Sequence, residues 1–234
     1  MAGSIQSLEE LNARIISCER CERLRPYCAE IARVKRKAYA DFEYWGRPVP
    51  SFGDPEARVL VLGLAPGAHG SNRTGRMFTG DGSGDFLFPV LHDAGFALQA
   101  RAVTPDDGMK LKDAWISAVA HCAPPANKPT PEELRNCASW LDEEIRLLKK
   151  LKVVVCLGKI AFDGFLGHQL REGKLTTRAG FTFGHGAEYA LPGGLTLIAS
   201  YHPSLQNTNT GKLTREMFLA VFMRARAAAG LGER

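Results

Sequence analysis

Four short, continuously apolar runs, set apart by longer amphipathic stretches, constrain this chain more than any other feature. They are Arg58-Val59-Leu60-Val61-Leu62-Gly63-Leu64, Trp115-Ile116-Ser117-Ala118-Val119-Ala120, Val153-Val154-Val155-Cys156-Leu157 and Leu195-Thr196-Leu197-Ile198-Ala199-Ser200. Unbroken runs of this length match strands buried on both faces, as in a parallel sheet covered by helices. The intervening stretches predict those helices: Ser7 to about Lys37, interrupted near Pro26; Gly84 to His92; Pro131 to Lys150; Lys159 to about Gln169; and Leu213 to about Ala228. Thr130 is placed to cap the third, with Pro131 at the first helical position. The expected fold class is therefore α/β, with a central four-stranded, largely parallel sheet flanked by helices. No repeat or composition break divides residues 1–234, which read as one domain.

Composition closes off several alternatives. With 45% hydrophobic residues and a net charge of only +5 from 30 Lys+Arg against 25 Asp+Glu, the chain can build a core and is not of the disordered class. No stretch approaches the roughly 18 apolar residues of a membrane span, and the acidic, amphipathic start MAGSIQSLEELNARI does not resemble a signal peptide. A soluble cytoplasmic protein is expected, and the charge by itself points only faintly to a polyanion partner. In a reducing compartment six cysteines call for a metal-ligand reading before a disulfide one. Cys18 and Cys21 form a CxxC pair, and Cys122 and Cys137 flank the start of a predicted helix. Four thiolates suit tetrahedral zinc or a cubane iron–sulfur cluster, and spacing does not choose between them. Two unrelated buried pairs without metal are the plainer alternative. Cys156 falls in an apolar strand, whereas Cys28, seven residues beyond Cys21, is a possible substitute ligand.

In open α/β sheets ligands bind beyond the carboxyl ends of the strands. The segments there are rich in chemistry: Ala65 to Asp81 after the first run, His121 to Pro129 after the second and Tyr201 to Asn207 after the last. The first is glycine-rich but has neither the Gly-Lys-Ser/Thr of a phosphate-binding loop nor GxGxxG. It offers close backbone approach at Gly63 and Gly67, donors at Asn72, Arg73 and Arg76, an aromatic at Phe78 and a carboxylate at Asp81. Phe78 reads either as a base-stacking ring or as a plug under its loop. Asp81 reads either as an acid handling water or as a helix cap. His202, before a proline at a strand end, is either structural or catalytic.

Taken in order, Gly63 to Arg76, Phe78-Thr79-Gly80-Asp81, Cys122-Ala123-Pro124-Pro125-Ala126-Asn127-Lys128-Pro129, and His202-Pro203-Ser204 with Gln206-Asn207-Thr208 resemble the family 5, or type B, uracil-DNA glycosylases. The resemblance covers nearly the whole chain. It implies a DNA repair glycosylase that flips uracil out of DNA and hydrolyses the N-glycosidic bond. It also implies that Cys18, Cys21, Cys122 and Cys137 hold a [4Fe–4S] cluster, which favours iron over zinc. His202 and backbone N–H groups near Gly63, Leu64 and Ala65 are then expected to stabilise the departing base, Phe78 to stack on it and Asn127 to contact it or place water. Asp81 is expected to orient or deprotonate that water and shield the cationic sugar. Ala118 stands where family 4 has an Asn that reads the uracil edge, so a broader range is expected: hydroxymethyluracil, ethenocytosine and hypoxanthine besides uracil. Arg73, Arg76, Lys128 and Lys212, with Arg47 less firmly placed, are the expected phosphate contacts, and Leu205 and Gln206 the wedge that replaces the flipped base. The clusters Arg33 to Lys37 and Lys149 to Lys152 read as solvated faces. A monomer suffices for this chemistry. The rival reading is a non-catalytic metal-cluster protein that only binds nucleic acid; a small-molecule hydrolase lacks a GxSxG elbow or HExxH site.

Overall fold

The computed structural model describes residues 5–232. Its strands are β1 (Phe52–Gly53), β2 (Val59–Gly63), β3 (Ala114–Ala118), β4 (Val153–Leu157), β5 (Glu188–Leu191) and β6 (Leu195–Ser200), in one sheet ordered β1-β3-β2-β4-β6-β5. The central four are parallel, with Leu60 beside Trp115 and Val154, and Val154 beside Leu197. The expected count of four is corrected to six by β1 and β5, which pair antiparallel at the two edges. Both are short, and β5 is largely exposed, so neither carries an apolar run.

Alternate residues of each strand face opposite sides, and each side is roofed by helices. On one side Val59, Val61, Ile116, Val155 and Ile198 meet Leu87, Phe88 and Leu91 of α4 (Gly82–Asp93) and Phe218 and Phe222 of α8 (Arg215–Ala228). On the other, Leu60, Leu62, Val154, Cys156 and Leu197 meet Leu11 and Ile15 of α1 (Leu8–Ile16), Trp140 and Leu141 of α5 (Pro131–Leu147), and Phe162 and Phe165 of α6 (Lys159–Arg171). Three layers result. Burying each of these large side chains contributes about 1.5–3 kcal/mol. Thr130 and Glu133 cap the start of α5 reciprocally, each side chain accepting from the other's backbone N–H. Among the described residues no helix is long and apolar enough to cross a membrane.

The first expected helix is in fact two: α1, and α2 (Leu24–Val34). The break lies at Ser17 to Arg23, not at Pro26. Pro26 sits in the first turn of α2, where its missing N–H would have no intrahelical partner anyway. Two shorter helices, α3 (Ser71–Thr74) and α7 (Leu205–Asn209), lie in the segments after β2 and β6 and bring them over the carboxyl edge of the sheet.

Candidate active site

A cavity of about 540 Å³ opens at that edge, lined by residues from three strand-end segments that include Leu64, Ala65, Gly67, Phe78, Asp81, Asn127, His202, Leu205 and Gln206. Every expected catalytic residue and most of the expected base contacts thus share one pocket.

Asp81 is the N-cap of α4: one oxygen, Oδ1, accepts from Ser83 N (3.0 Å) and Gly84 N (3.2 Å). The helix-cap reading is thus met, and the cap uses only one carboxylate oxygen. The other, Oδ2, is turned toward Gly67 and Gly70, whose bare Cα positions leave it room. Burial pushes the carboxyl above the ordinary carboxylate range, opposed by the capping N–H groups and by the Arg73 charge.

Phe78 is a plug under its loop, as one of its two readings expected: it belongs to the core on the α4 side, and it also lines the cavity. Its ring covers Gly63, where a Cβ would lie 2.8 Å from Cζ, so Gly63 is the seat of Phe78 and not a cavity residue. The backbone at Phe78 is in the left-handed region (φ 53°), a strained conformation for an aromatic residue and one that concentrates at functional sites. His202 stacks on this ring at 5.9 Å, with 29° between the planes. Burial lowers its pKa to about 4, so the imidazole is uncharged at neutral pH. Asn207 Nδ2 donates to His202 O (2.8 Å) and fixes the backbone there.

Asn127 stands in the segment between Pro124 and Pro129, exposed and left-handed (φ 56°) directly after a left-handed Ala126 (φ 51°). Ala118 does not reach the cavity; Ser71, only 2% exposed, and Met77 line it instead. Sequence reasoning missed Gly70, Ser71 and Asn207. The glycine-rich pattern marked close backbone approach, but nothing in it named the carboxylate that needs the space.

Two expected DNA contacts are corrected. Arg73 and Arg76 are 8% and 7% exposed, with two guanidinium nitrogens of Arg73 and all three of Arg76 engaged within the protein. Arg73 Nε donates to His69 O (2.8 Å) and its Nη2 to Gly80 O (2.8 Å). Arg76 makes two hydrogen bonds to Asp107 (2.9 and 2.7 Å) and one to Pro105 O (3.1 Å). Both brace the loop rather than present a free fork to phosphate. Lys128 and Arg47 are exposed, as is Lys212, whose Nζ lies 4.7 Å from the Tyr201 ring centroid. Leu205, 57% exposed, lies over Gly82 beside Gln206 at the cavity mouth.

Away from this cavity, Cys18, Cys21, Cys122 and Cys137 line a second, very small pocket with Arg20, His121 and Trp140. All are free thiols. His121 N donates to Cys137 Sγ (3.4 Å) and Asn136 Nδ2 to Cys21 Sγ (3.9 Å). Burial pushes the Cys137 thiol up to about 12, a state that a coordinated cation reverses. Cys28 is outside this pocket, its Sγ directed to Ala123 O (3.6 Å). Among the described residues, the one group of three potential ligand atoms within 4.8 Å of one another is Asp142, His168 and Glu172, where Arg171 already neutralises Asp142. No three of the cysteine sulfurs are that close, whereas a single tetrahedral zinc with bonds of about 2.3 Å requires sulfurs about 3.8 Å apart. Cys18, Cys21, Cys122 and Cys137 are the residues that would hold the cluster the resemblance implies.

A family model for the uracil DNA glycosylase superfamily matches residues 50–226. The chain belongs to the uracil-DNA glycosylase superfamily. Relatives named type-5 uracil-DNA glycosylase place it in that branch. The Thermus thermophilus protein is 53% identical over 93% of this chain and 96% of its own length. That of Mycobacterium bovis is 45% identical over 99% and 85%, and that of Pyrobaculum aerophilum 44% over 93% and 91%. A type-4 uracil-DNA glycosylase of Archaeoglobus fulgidus is more distant, 27% identical over 67% of this chain and 62% of its own. The superfamily match contains all three strand-end segments of the cavity, while Cys18 and Cys21 precede it.

Proposed function

We propose that this chain is a DNA repair glycosylase that hydrolyses the N-glycosidic bond of uracil in DNA and leaves an abasic site. The observation that carries the reading is a partly free carboxylate, Asp81, and an uncharged imidazole, His202, stacked on the Phe78 ring, all three lining one cavity. Bond cleavage leaves positive charge on the sugar and negative charge on the base. A neutral imidazole donates an N–H to the base oxygen without yielding its proton, and such a donor contributes about 3–4 kcal/mol. Asp81 Oδ2 receives a proton from the attacking water and faces the sugar cation, the task a carboxylate performs in glycoside hydrolysis. Phe78 stacks on the flipped base, and Asn127 supplies an amide to its edge. Leu205 and Gln206 occupy the gap left in the duplex. Water is the nucleophile in this scheme, in keeping with a cavity that no lysine lines among the described residues.

Our reading of the substrate range is broader than uracil and includes hydroxymethyluracil, ethenocytosine and hypoxanthine. It is supported by the absence of Ala118 from the cavity lining and by the short side chains of Ala65 and Ser71 in it. Cys18, Cys21, Cys122 and Cys137 hold a [4Fe–4S] cluster that pins the α1–α2 connection to α5. One copy of the chain supplies every group in the scheme.

Incubation with oligonucleotides bearing each base, followed by hot alkali, tests the function: strand scission at the modified position is expected, and none at several-fold enzyme excess overturns it. For the cluster, iron and sulfide analysis of Cys18→Ser should show loss of iron, with Cys28→Ser and Cys156→Ser retaining it. Full retention in Cys18→Ser overturns that ligand set.

A further inference from the structure

The segment from Arg36 to Gly46 leaves α2 and wraps the outside of the loop that carries the cavity wall. Trp45 N donates to Arg73 O (2.9 Å), Gly46 N to Asn72 O (3.0 Å), and Tyr44 Oη lies 3.2 Å from His69 Nδ1. Arg36 N in turn reaches Tyr44 Oη at 3.4 Å, so residue 36 is two contacts from the loop between Gly67 and Gly70. On the other flank, the Arg73 guanidinium lies 4.1 Å from the Tyr39 ring centroid and 5.0 Å from that of Phe42, while its Nη2 donates to Gly80 O. The aromatic pair is therefore linked through Arg73 to Gly80, the residue before Asp81.

Phe42 is 47% exposed, although its edge contact with Tyr39 covers one side. Leu205, another exposed apolar side chain, covers Gly82, while Phe42 adjoins Arg73, the residue bound to Gly80. Arg36 and Lys37 are exposed, and among the described residues neither side chain has an ion pair or hydrogen bond. Arg33 by contrast is neutralised by Glu30, and Lys35 Nζ donates to Ala40 O. Asp41 and Glu43 are the exposed acids of the segment. An exposed ring in the same segment as two exposed cations matches the chemistry of a nucleic-acid strand, which offers phosphates and stacking faces together.

We propose that Arg36, Lys37 and Phe42 form a second DNA-contact arm, the cations engaging phosphates beside the flipped nucleotide and the ring packing on a neighbouring sugar or base. This goes beyond the solvated-face reading of Arg36 and Lys37 and rests on the glycosylase reading for the identity of the flipped nucleotide. Buried Arg73 is the brace that fixes the arm's distance from Asp81.

The test compares Arg36→Glu/Lys37→Glu and Phe42→Ala with wild type and with Lys149→Glu/Lys150→Glu, a charge-matched change at the amino ends of the strands. Binding to an unmodified duplex is measured against salt, and kcat and KM on a uracil-containing duplex. The arm predicts that the Arg36/Lys37 variant loses about two from the log K against log salt slope, since each phosphate contact contributes about 0.9. KM should rise about tenfold or more with kcat within twofold, and Phe42→Ala should raise KM about tenfold with an unchanged slope. Unchanged binding and KM overturn the arm, as does an equal effect from the Lys149/Lys150 variant. Should Phe42→Ala unfold, Phe42→Leu and Phe42→Ser at matched stability decide the same point. If wild type leaves uracil DNA intact but the Arg36/Lys37 variant still loses salt slope, the glycosylase reading fails and the arm stands.

Discussion

Asp81 Oδ2 occupies the space that a side chain on residue 70 would need. Gly67 is under the same constraint, since a Cβ there would lie 2.8 Å from this oxygen. The loop thus reaches the acid by having no side chains where it passes. Gly70→Ala should displace the carboxylate and lower kcat by about a hundredfold, the scale of a misplacement near 1 Å. Steady-state kinetics with a circular dichroism control checks this; wild-type kcat would show that Oδ2 is not needed where it stands.

Asp81 combines a cap with a chemical role, and two substitutions separate them. Asp81→Asn keeps an N-cap oxygen, whereas Asp81→Ala removes it and should cost about 1 kcal/mol of stability. Both should lose about 10²–10⁴-fold in kcat, the range for a positioned general base. Oligonucleotide affinity should stay near wild type in each. Because burial raises the Asp81 pKa, the acid limb of kcat in wild type should fall at a higher pH than an exposed aspartate would give. Activity in Asp81→Asn close to wild type would refute the base assignment.

His202 has a folded pKa of about 4, against 6.5 when unburied. Above pH 6.5 both states are neutral and stability does not depend on this group. Between 6.5 and 4 the unfolded chain takes up a proton that the folded one refuses, so stability falls as pH falls, by up to about 1.4 kcal/mol per pH unit. Below 4 both states are protonated and the dependence levels off. Urea unfolding from pH 7 to 4 should show a shallower decline in His202→Gln than in wild type, with kcat down about 10²–10³-fold. Parallel declines would place the ring in water.

Arg76 tests the correction to the phosphate contacts. Its guanidinium pairs with Asp107, whose carboxyl it and the Val103 and Met109 N–H groups hold well below the usual range despite burial. Arg76→Met leaves that charge behind and should destabilise the chain by about 3 kcal/mol. The salt slope of DNA binding should not change, whereas a phosphate contact would lower it by about 0.9.

The residues that reported themselves in the sequence are those whose environment is set by neighbours along the chain. β2, β3, β4 and β6 were legible because burial on both faces leaves unbroken apolar runs; β1 and β5 were not, since edge strands need no such run. Asp81, Asn127 and His202 followed from resemblance and from their place at strand ends. Arg73 and Arg76 misled because a cation in a glycine-rich loop looks the same whether its partner is phosphate or Asp107, thirty-one positions away from Arg76. Ser71 and Asn207 are ordinary residues given meaning only by the groups packed against them.

The two left-handed residues at Ala126 and Asn127 sit between Pro124-Pro125 and Pro129. Prolines narrow the conformations open to the unfolded loop, by about 0.4–1 kcal/mol of entropy at each compatible position. A loop with so little freedom to surrender on folding also regains little on warming. The amide at 127 is therefore held by a scarcity of alternatives as much as by contacts, and it should keep its bearing on the cavity at temperatures where a freer loop would wander.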